Sequence, residues 1–207
     1  MGGFFVLTYE NDLWEQGYGR IAGVDEVGRG CLFGDVVAAA VMLPAGCLIE
    51  GVDDSKKLTE KQREAMYDVI VRQAVAIGVG RADVETIERI NIRQASRLAM
   101  KRAVEALGVR PDALLVDAES VDVPLMQVAV IHGDALSQSI AAASIIAKVT
   151  RDRLCAHWDR LYPEYGIAGH KGYATKLHRE RLLKFGASPM HRRSFLGKIF
   201  AKQMELF

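Results

Sequence analysis

A mixed α/β layered fold is what this sequence predicts, from three features: about five short apolar runs of β character, helical periodicities interleaved with them, and an accumulation of helices toward the C-terminus. No period of about 20 to 50 residues recurs and no Pro/Gly/Ser-rich linker interrupts the chain, so residues 1–207 read as a single domain. The composition agrees, with 207 residues, 50% hydrophobic and 26% charged, and a mean hydropathy of +0.06. Disordered, collagen-like and coiled-coil classes are excluded.

In chain order, Ile21 to Asp25 and Val36 to Leu43 are β-type runs joined by a glycine-rich segment, which predicts neighbouring strands. Thr59 and Gln62 form a capping box, and Met66, Val69 and Ile70 share a face, so Thr59 to Gln73 is expected to be helical. Strand character returns over Ala74 to Gly80. A second start signal at Asn91 and Gln94 opens an amphipathic helix that Gly108 and Pro111 stop. Ala113 to Asp117 and Met126 to Ile131 are further strands, and Ser137 to Leu161 is a long helix whose alanines permit close approach to a sheet. Beyond Pro163 the pattern predicts loop, a short helix over Leu177 to Phe185, and an amphipathic tail with Phe195, Leu196, Ile199 and Phe200. Residues 163–207 thus form a basic helical C-terminal portion.

Cys31, Cys47 and Cys155 are odd in number and lack metal-type spacing, so reduced thiols in a cytoplasmic protein are expected. The longest apolar run, Val36 to Ile49, is too short to cross a bilayer, and Met1 to Glu10 lacks the basic start of a signal peptide. The formal net charge of +1 argues against a strongly basic binder of nucleic acid, but it hides an asymmetry. Met1 to Ala147 carries 14 basic and 21 acidic residues, a net −7, and Lys148 to Phe207 carries 13 basic and 5 acidic, a net +8.

Four acids occupy positions where a carboxylate is costly. Asp25 and Glu26 end an apolar strand, Asp117 ends another, and Asp134 lies just before the long helix. Singly, Asp134 also suits a helix start and Asp117 a turn. Together, each pair at about 4 Å would repel by roughly 4 kcal/mol at an effective dielectric of 20, so the cluster calls for protons or cations. An all-oxygen set selects Mg2+ or Mn2+, and two such ions activate water and stabilise the leaving oxygen of a phosphodiester.

The segment Val27 to Gly34 has Gly28, Gly30 and Gly34 in a spacing that fits neither a dinucleotide fingerprint nor a P-loop. Its glycines expose main-chain groups for close approach to a ligand, with Arg29 available to a phosphate. His170 to Lys176 and His191-Arg192-Arg193 interleave basic residues with the ring of Tyr173, a pattern suited to tracking a nucleic-acid backbone; the alternative is a solvated charged face.

Several stretches, taken in order, resemble bacterial ribonuclease HII. They are Ala22 to Gly30, Asp54-Ser55-Lys56-Lys57-Leu58, Leu115-Val116-Asp117, Gly133-Asp134 with Ala141 to Ser144, His170 to Tyr173, and Ser188 to Phe195. The resemblance runs from about Phe4 to Phe195. It implies an RNase H-like mixed five-stranded sheet flanked by helices, with a helical C-terminal portion. It also implies metal-dependent hydrolysis of RNA in RNA/DNA hybrids and cleavage 5′ of ribonucleotides embedded in duplex DNA, leaving 3′-hydroxyl and 5′-phosphate ends. Carried across, Asp25, Glu26, Asp117 and Asp134 bind two Mg2+ or Mn2+ ions. The Gly28-Arg29-Gly30 main chain contacts the ribonucleotide 2′-hydroxyl, and Tyr173 packs on the next sugar and favours deoxyribose there. Ser55, Lys56, Lys57, Lys148 and Lys171 become phosphate contacts. The mechanism needs only a monomer.

Where that family commonly has Pro-Leu-Ala-Gly-Pro after the second glycine, this chain has Cys31-Leu32-Phe33-Gly34-Asp35, which puts the rigidity of the loop in question and adds a negative charge near the acids. A catalytically weakened hybrid-binding module is therefore one alternative, and another RNase H-like nuclease is a second. The last five residues, Gln203 to Phe207, resemble the short peptide by which bacterial repair proteins dock on a sliding clamp, with Gln203, Leu206 and Phe207 as anchors. Completion of the amphipathic tail is the competing use of Leu206 and Phe207.

Overall fold

The structure, a computed structural model, describes residues 7–52 and 55–204. Helix α1 (Thr8–Glu15) leads into β1 (Ile21–Val27) and β2 (Val36–Met42). Next come α2 (Glu60–Gln73), β3 (Ala76–Ala82), α3 (Val84–Glu105), β4 (Ala113–Asp117) and β5 (Met126–Val130). Helices α4 (Gly133–Leu136), α5 (Gln138–Leu161), α6 (Ile167–His170), α7 (Lys176–Phe185) and α8 (Gly197–Met204) complete the chain. The five strands make one sheet in the order β3-β2-β1-β4-β5, antiparallel on the β3-β2-β1 side and parallel across β1-β4-β5. This is the mixed five-stranded sheet flanked by helices that the resemblance implied.

Alternation along the strands sends the two faces to different partners. Val24, Val36, Ala38 and Ala40 pack with Ala95, Ala99, Met100 and Ala103 of α3 on one face. On the other, Ala39 and Val41 meet Ala141 to Ala143, Ile145 and Ile146 of α5, with Ile70 of α2 beside them. The alanines let α5 come unusually near the sheet: a Cβ added to Gly23 of β1 would stand 2.0 Å from the Ser139 carbonyl carbon. Beyond the sheet, Phe33, Cys155, Trp158, Tyr165 and Ile167 form a separate core, and Leu32, Leu182 and Leu196 another, with Phe195, Ile199 and Phe200 packed on the latter.

Thr59 caps α2 with both arms of its capping box in place. The start signal at Asn91 is also real, since Asn91 Oδ1 accepts from the N–H groups of Arg93 and Gln94, but it lies at a kink (φ 65°) inside α3 and not at its beginning. The turns from Val84 to Ile90 are an addition to the sequence expectation, capped by Asp83, whose side chain accepts from Thr86 N–H. Helix α1 is a second addition. Its Glu10 is buried and accepts from Ser137 Oγ (2.7 Å) and Ser139 N–H (3.1 Å) at the start of α5.

Candidate active site

Parallel pairing of β1 with β4 aligns Val24 with Val116, so Asp25 and Asp117 leave the sheet at the same end. Asp117 Oδ1 accepts the N–H of Gly133 (2.8 Å), which fastens the turn carrying Asp134 to the end of β4. A side chain at position 133 would collide with Ile140, so glycine is what permits this approach. The close contact of α5 with β1 brings Ser144 to the Asp25 carboxylate, and Ser144 Oγ is also 2.8 Å from Ser55 Oγ.

These elements enclose a cavity of about 250 Å³ lined by Asp25, Glu26 and Asp117, by the Val27–Gly30 main chain, and by Ser55, Lys56, Ser144, Lys148 and Tyr173. Two larger concavities, of about 510 and 590 Å³, lie along the outer side and the C-terminal end of α3 and contain none of the acids singled out above. Chemistry rather than volume therefore identifies the site. Asp134 is not among the lining residues; Lys56 Nζ holds its Oδ2 at 2.6 Å. Lys148 Nζ donates to Asp152 Oδ1 at 2.7 Å, and Lys171 Nζ lies 3.8 Å from Glu60. Lys57 and Lys171 do not line the cavity, and Leu206 and Phe207 lie outside the described residues.

Burial, and then the charges of Glu26 and Asp117, push the Asp25 carboxyl well above the usual carboxylate range, against hydrogen bonds from Ser144 and the Glu26 N–H. Burial also raises Glu26, opposed by Arg29, and raises Asp117, opposed by the Gly133 N–H. Three acids held high together are poised to take up cationic charge. Among the described residues no three of these groups are arranged to hold one ion. The donor chemistry nevertheless fits a hard cation, for Glu26 Oε2 is buried without a hydrogen-bond partner.

Arg29 lies 3.3 Å from Glu26 and 3.8 Å from Glu119, which also takes Arg93. Asp35 is buried, 3.3 Å from Arg81 Nε, and does not line the cavity. Phe33 meets His191 edge-on at 4.9 Å between centroids. The N–H groups of Leu32 and Gly34 donate to Gly172 and Met190 carbonyls, so the loop without prolines is still fastened. The sequence reading of His191-Arg192-Arg193 as a phosphate-facing surface needs correction: His191 and Arg192 are buried, because their rings and donors serve the interior, and only Arg193 is exposed. Ser144 and Glu119 were not foreseen at the site. Ser144 lies in the Ala141 to Ser144 stretch of α5, whereas Glu119 meets Arg29 from a segment far away in sequence.

A family model described as Ribonuclease HII matches residues 22–198. A protein from Alkaliphilus metalliredigens named Ribonuclease HII is 63% identical over 199 residues, covering 93% of this chain and 98% of that one. Among solved structures, the ribonuclease H2 of Pyrococcus horikoshii superposes with a TM-score of 0.75 at 25% identity, over 90% of this chain and 99% of that one. The RNase HII in a complex with PCNA from Archaeoglobus fulgidus gives 0.71 at 26% identity, over 90% of this chain and 100% of that one.

Proposed function

The chain belongs to the ribonuclease HII family and is a ribonuclease H enzyme, and on that premise we propose that it uses divalent metal ions to cut the phosphodiester 5′ of ribonucleotides. Its substrates are RNA/DNA hybrids and duplex DNA with embedded ribonucleotides, and its products carry 3′-hydroxyl and 5′-phosphate ends. One observation carries the reading. Asp25, Glu26 and Asp117 share a single cavity with the Gly28-Arg29-Gly30 main chain and the Tyr173 ring.

In this reading Asp25, Glu26, Asp117 and Asp134 hold two Mg2+ or Mn2+ ions, which when bound supply an activated water and stabilise the leaving oxygen. The Gly28 to Gly30 main chain takes the 2′-hydroxyl, since these residues bring bare backbone to the cavity wall. Tyr173, 43% exposed, offers its ring to the next sugar. Ser55, Lys56 and Lys148 at the wall, with Lys57 and Lys171 nearby, meet phosphates. The enzyme acts as a cytoplasmic monomer with one catalytic domain whose basic portion spans residues 163–207. No described helix is long and apolar enough to cross a membrane, and the three cysteines are unpaired.

The test is a duplex with one ribonucleotide, incubated with wild type and Asp25→Asn, with and without Mg2+ or Mn2+. Metal-dependent cleavage 5′ of the ribonucleotide that Asp25→Asn abolishes is expected; a folded wild type that leaves this duplex intact would refute the activity. The hybrid-binding alternative loses its motivation, since Asp35 faces Arg81 and not the cavity. Docking on a sliding clamp through Gln203, Leu206 and Phe207 remains part of the proposal. It draws support from the Archaeoglobus protein, whose solved structure is a complex with PCNA. Equal clamp binding by the full chain and one lacking residues 203–207 would dismiss it.

A further inference from the structure

Two arginines are completely buried, Arg151 on α5 and Arg192 after α7. Neither has a carboxylate at ion-pair distance among the described residues; the nearby Asp35 pairs with Arg81 instead. Their donors go to main-chain carbonyls, apart from a contact of Arg151 Nη1 with Cys155 Sγ at 3.6 Å. Arg151 donates to Phe33 (3.0 Å), Asp35 (3.1 Å) and Lys171 (2.7 Å). Arg192 donates to Gly34 (2.7 and 2.9 Å) and Arg29 (3.0 Å). Burying a guanidinium with no carboxylate in direct contact is costly, and a joint that served stability alone would be as well made from apolar side chains of similar volume. The fixed fork of an arginine does something they cannot, which is to hold several carbonyls at set separations.

The carbonyls held by Arg151 belong to two different segments, the loop that follows Gly28-Arg29-Gly30 and the turn that precedes Tyr173. Both segments also touch the guanidinium directly. A Cβ on Gly28 would stand 2.2 Å from Arg151 Nε, and one on Gly172 would stand 3.4 Å from Arg151 Nη2 and 2.9 Å from the Phe33 carbonyl. One main-chain bond, from Leu32 N–H to the Gly172 carbonyl (2.8 Å), closes the same joint.

We propose that Arg151 is a specificity-determining positioning residue that sets the separation between the Gly28–Gly30 main chain and Tyr173, with Arg192 tying the Arg29 carbonyl to that of Gly34 in the same loop. This rests on the function proposed above, in which those two elements touch adjacent nucleotides. Their spacing then decides whether a ribose at one position and a deoxyribose at the next can be engaged together. A Tyr173 turn released from Arg151 recedes from the second sugar and accommodates a 2′-hydroxyl there. The loss therefore falls more heavily on a ribonucleotide followed by DNA than on a continuous RNA strand.

The experiment compares kcat/KM for a duplex with a single ribonucleotide and for a uniform RNA/DNA hybrid of the same sequence, using wild type, Arg151→Lys, Tyr173→Ala and the double variant, each checked by thermal unfolding. Arg151→Lys is expected to lower the single-ribonucleotide to hybrid ratio about tenfold, as a displacement of under an ångström at a substrate contact does, and to change that ratio no further when Tyr173 is already alanine. Equal losses on both substrates, or an independent further loss in the Tyr173→Ala background, overturn the proposal. Should Arg151→Lys not fold, Gly172→Ala tests the same joint from the other side, and an unchanged ratio there overturns it too. A folded wild type that cuts neither substrate refutes the parent function, and the proposal falls with it.

Discussion

Asp25 sits where an anion is expensive, 5% exposed and facing two other acids, and its carboxyl is raised first by burial and then by those charges. A carboxyl whose folded pKa exceeds its unfolded value costs nothing in acid, where it is protonated in both states, and weakens the fold as pH rises through the folded pKa. Asp25→Asn keeps the shape and removes the charge. In EDTA at about pH 8 it should raise Tm by on the order of 3 °C, the shift that ~1 kcal/mol makes in a chain of this size, while metal-dependent cleavage falls at least about a hundredfold. The gain should shrink toward about pH 4 or on adding Mg2+; a variant less stable than wild type in EDTA would contradict the strain assigned to Asp25. Ser144 acts on the same carboxylate from behind, donating to Asp25 and joined to Ser55. Ser144→Ala should raise the Mg2+ concentration for half-maximal activity by about tenfold, as loss of a partner that orients a ligand does. A metal titration of both proteins checks this, and coincident curves would remove Ser144 from the site.

At the scale of elements, the site depends on how near α5 lies to β1. At Gly23 a methyl group would meet the Ser139 carbonyl carbon at 2.0 Å and the Ile140 nitrogen at 2.4 Å, all main chain. The helix cannot yield there without dragging Ser144 from Asp25. Gly23→Ala should therefore cost about 3 kcal/mol or more, seen as a lower urea midpoint, and should lose activity beyond what the unfolded fraction explains. What the sequence made readable follows the range of the interactions. The capping box of Thr59 and Gln62 and the Asx-type start at Asn91 span three residues, so both were legible, and so were the strands that deliver Asp25, Glu26 and Asp117. Helix α1 was not, because Glu10 finds its partners at Ser137 and Ser139, more than a hundred residues on. The kink hid the first turns of α3, since periodicity restarts after Asn91 (φ 65°). Arg192 was misread for a related reason: a basic tripeptide looks solvated until Gly34 and Arg29 supply the carbonyls that let it be buried.

Across the whole molecule, the charge asymmetry survives that correction, with Lys176, Arg179, Arg181, Lys184 and Arg193 all exposed in the basic portion. Within this portion, a neutral histidine relay ties α7 to the segments on either side of it. The Ser188 N–H donates to His191 Nδ1 (3.0 Å), so the proton of that ring is on Nε2. It faces His178 Nε2 at 3.2 Å, which leaves His178 Nδ1–H to donate to the Tyr173 carbonyl at 2.9 Å. Both rings are buried, and burial lowers each pKa to about 4. A second proton on either ring sets two N–H groups against each other. The unfolded chain, with histidines near 6.5, binds more protons between about pH 4 and 6.5, so the contribution of the relay is complete above about pH 6.5 and is lost as pH falls through that window. Between pH 7 and pH 5 each ring should withdraw about 2 kcal/mol of stability. The raised carboxyls of Asp25, Asp35 and Asp117 titrate in the opposite sense and partly mask this in wild type alone. Urea unfolding at both pH values, for wild type and for His178→Gln with His191→Gln, separates the two. The double variant should be less stable at pH 7 and lose less on acidification, and parallel losses in the two proteins would show that the relay is not what carries the pH dependence.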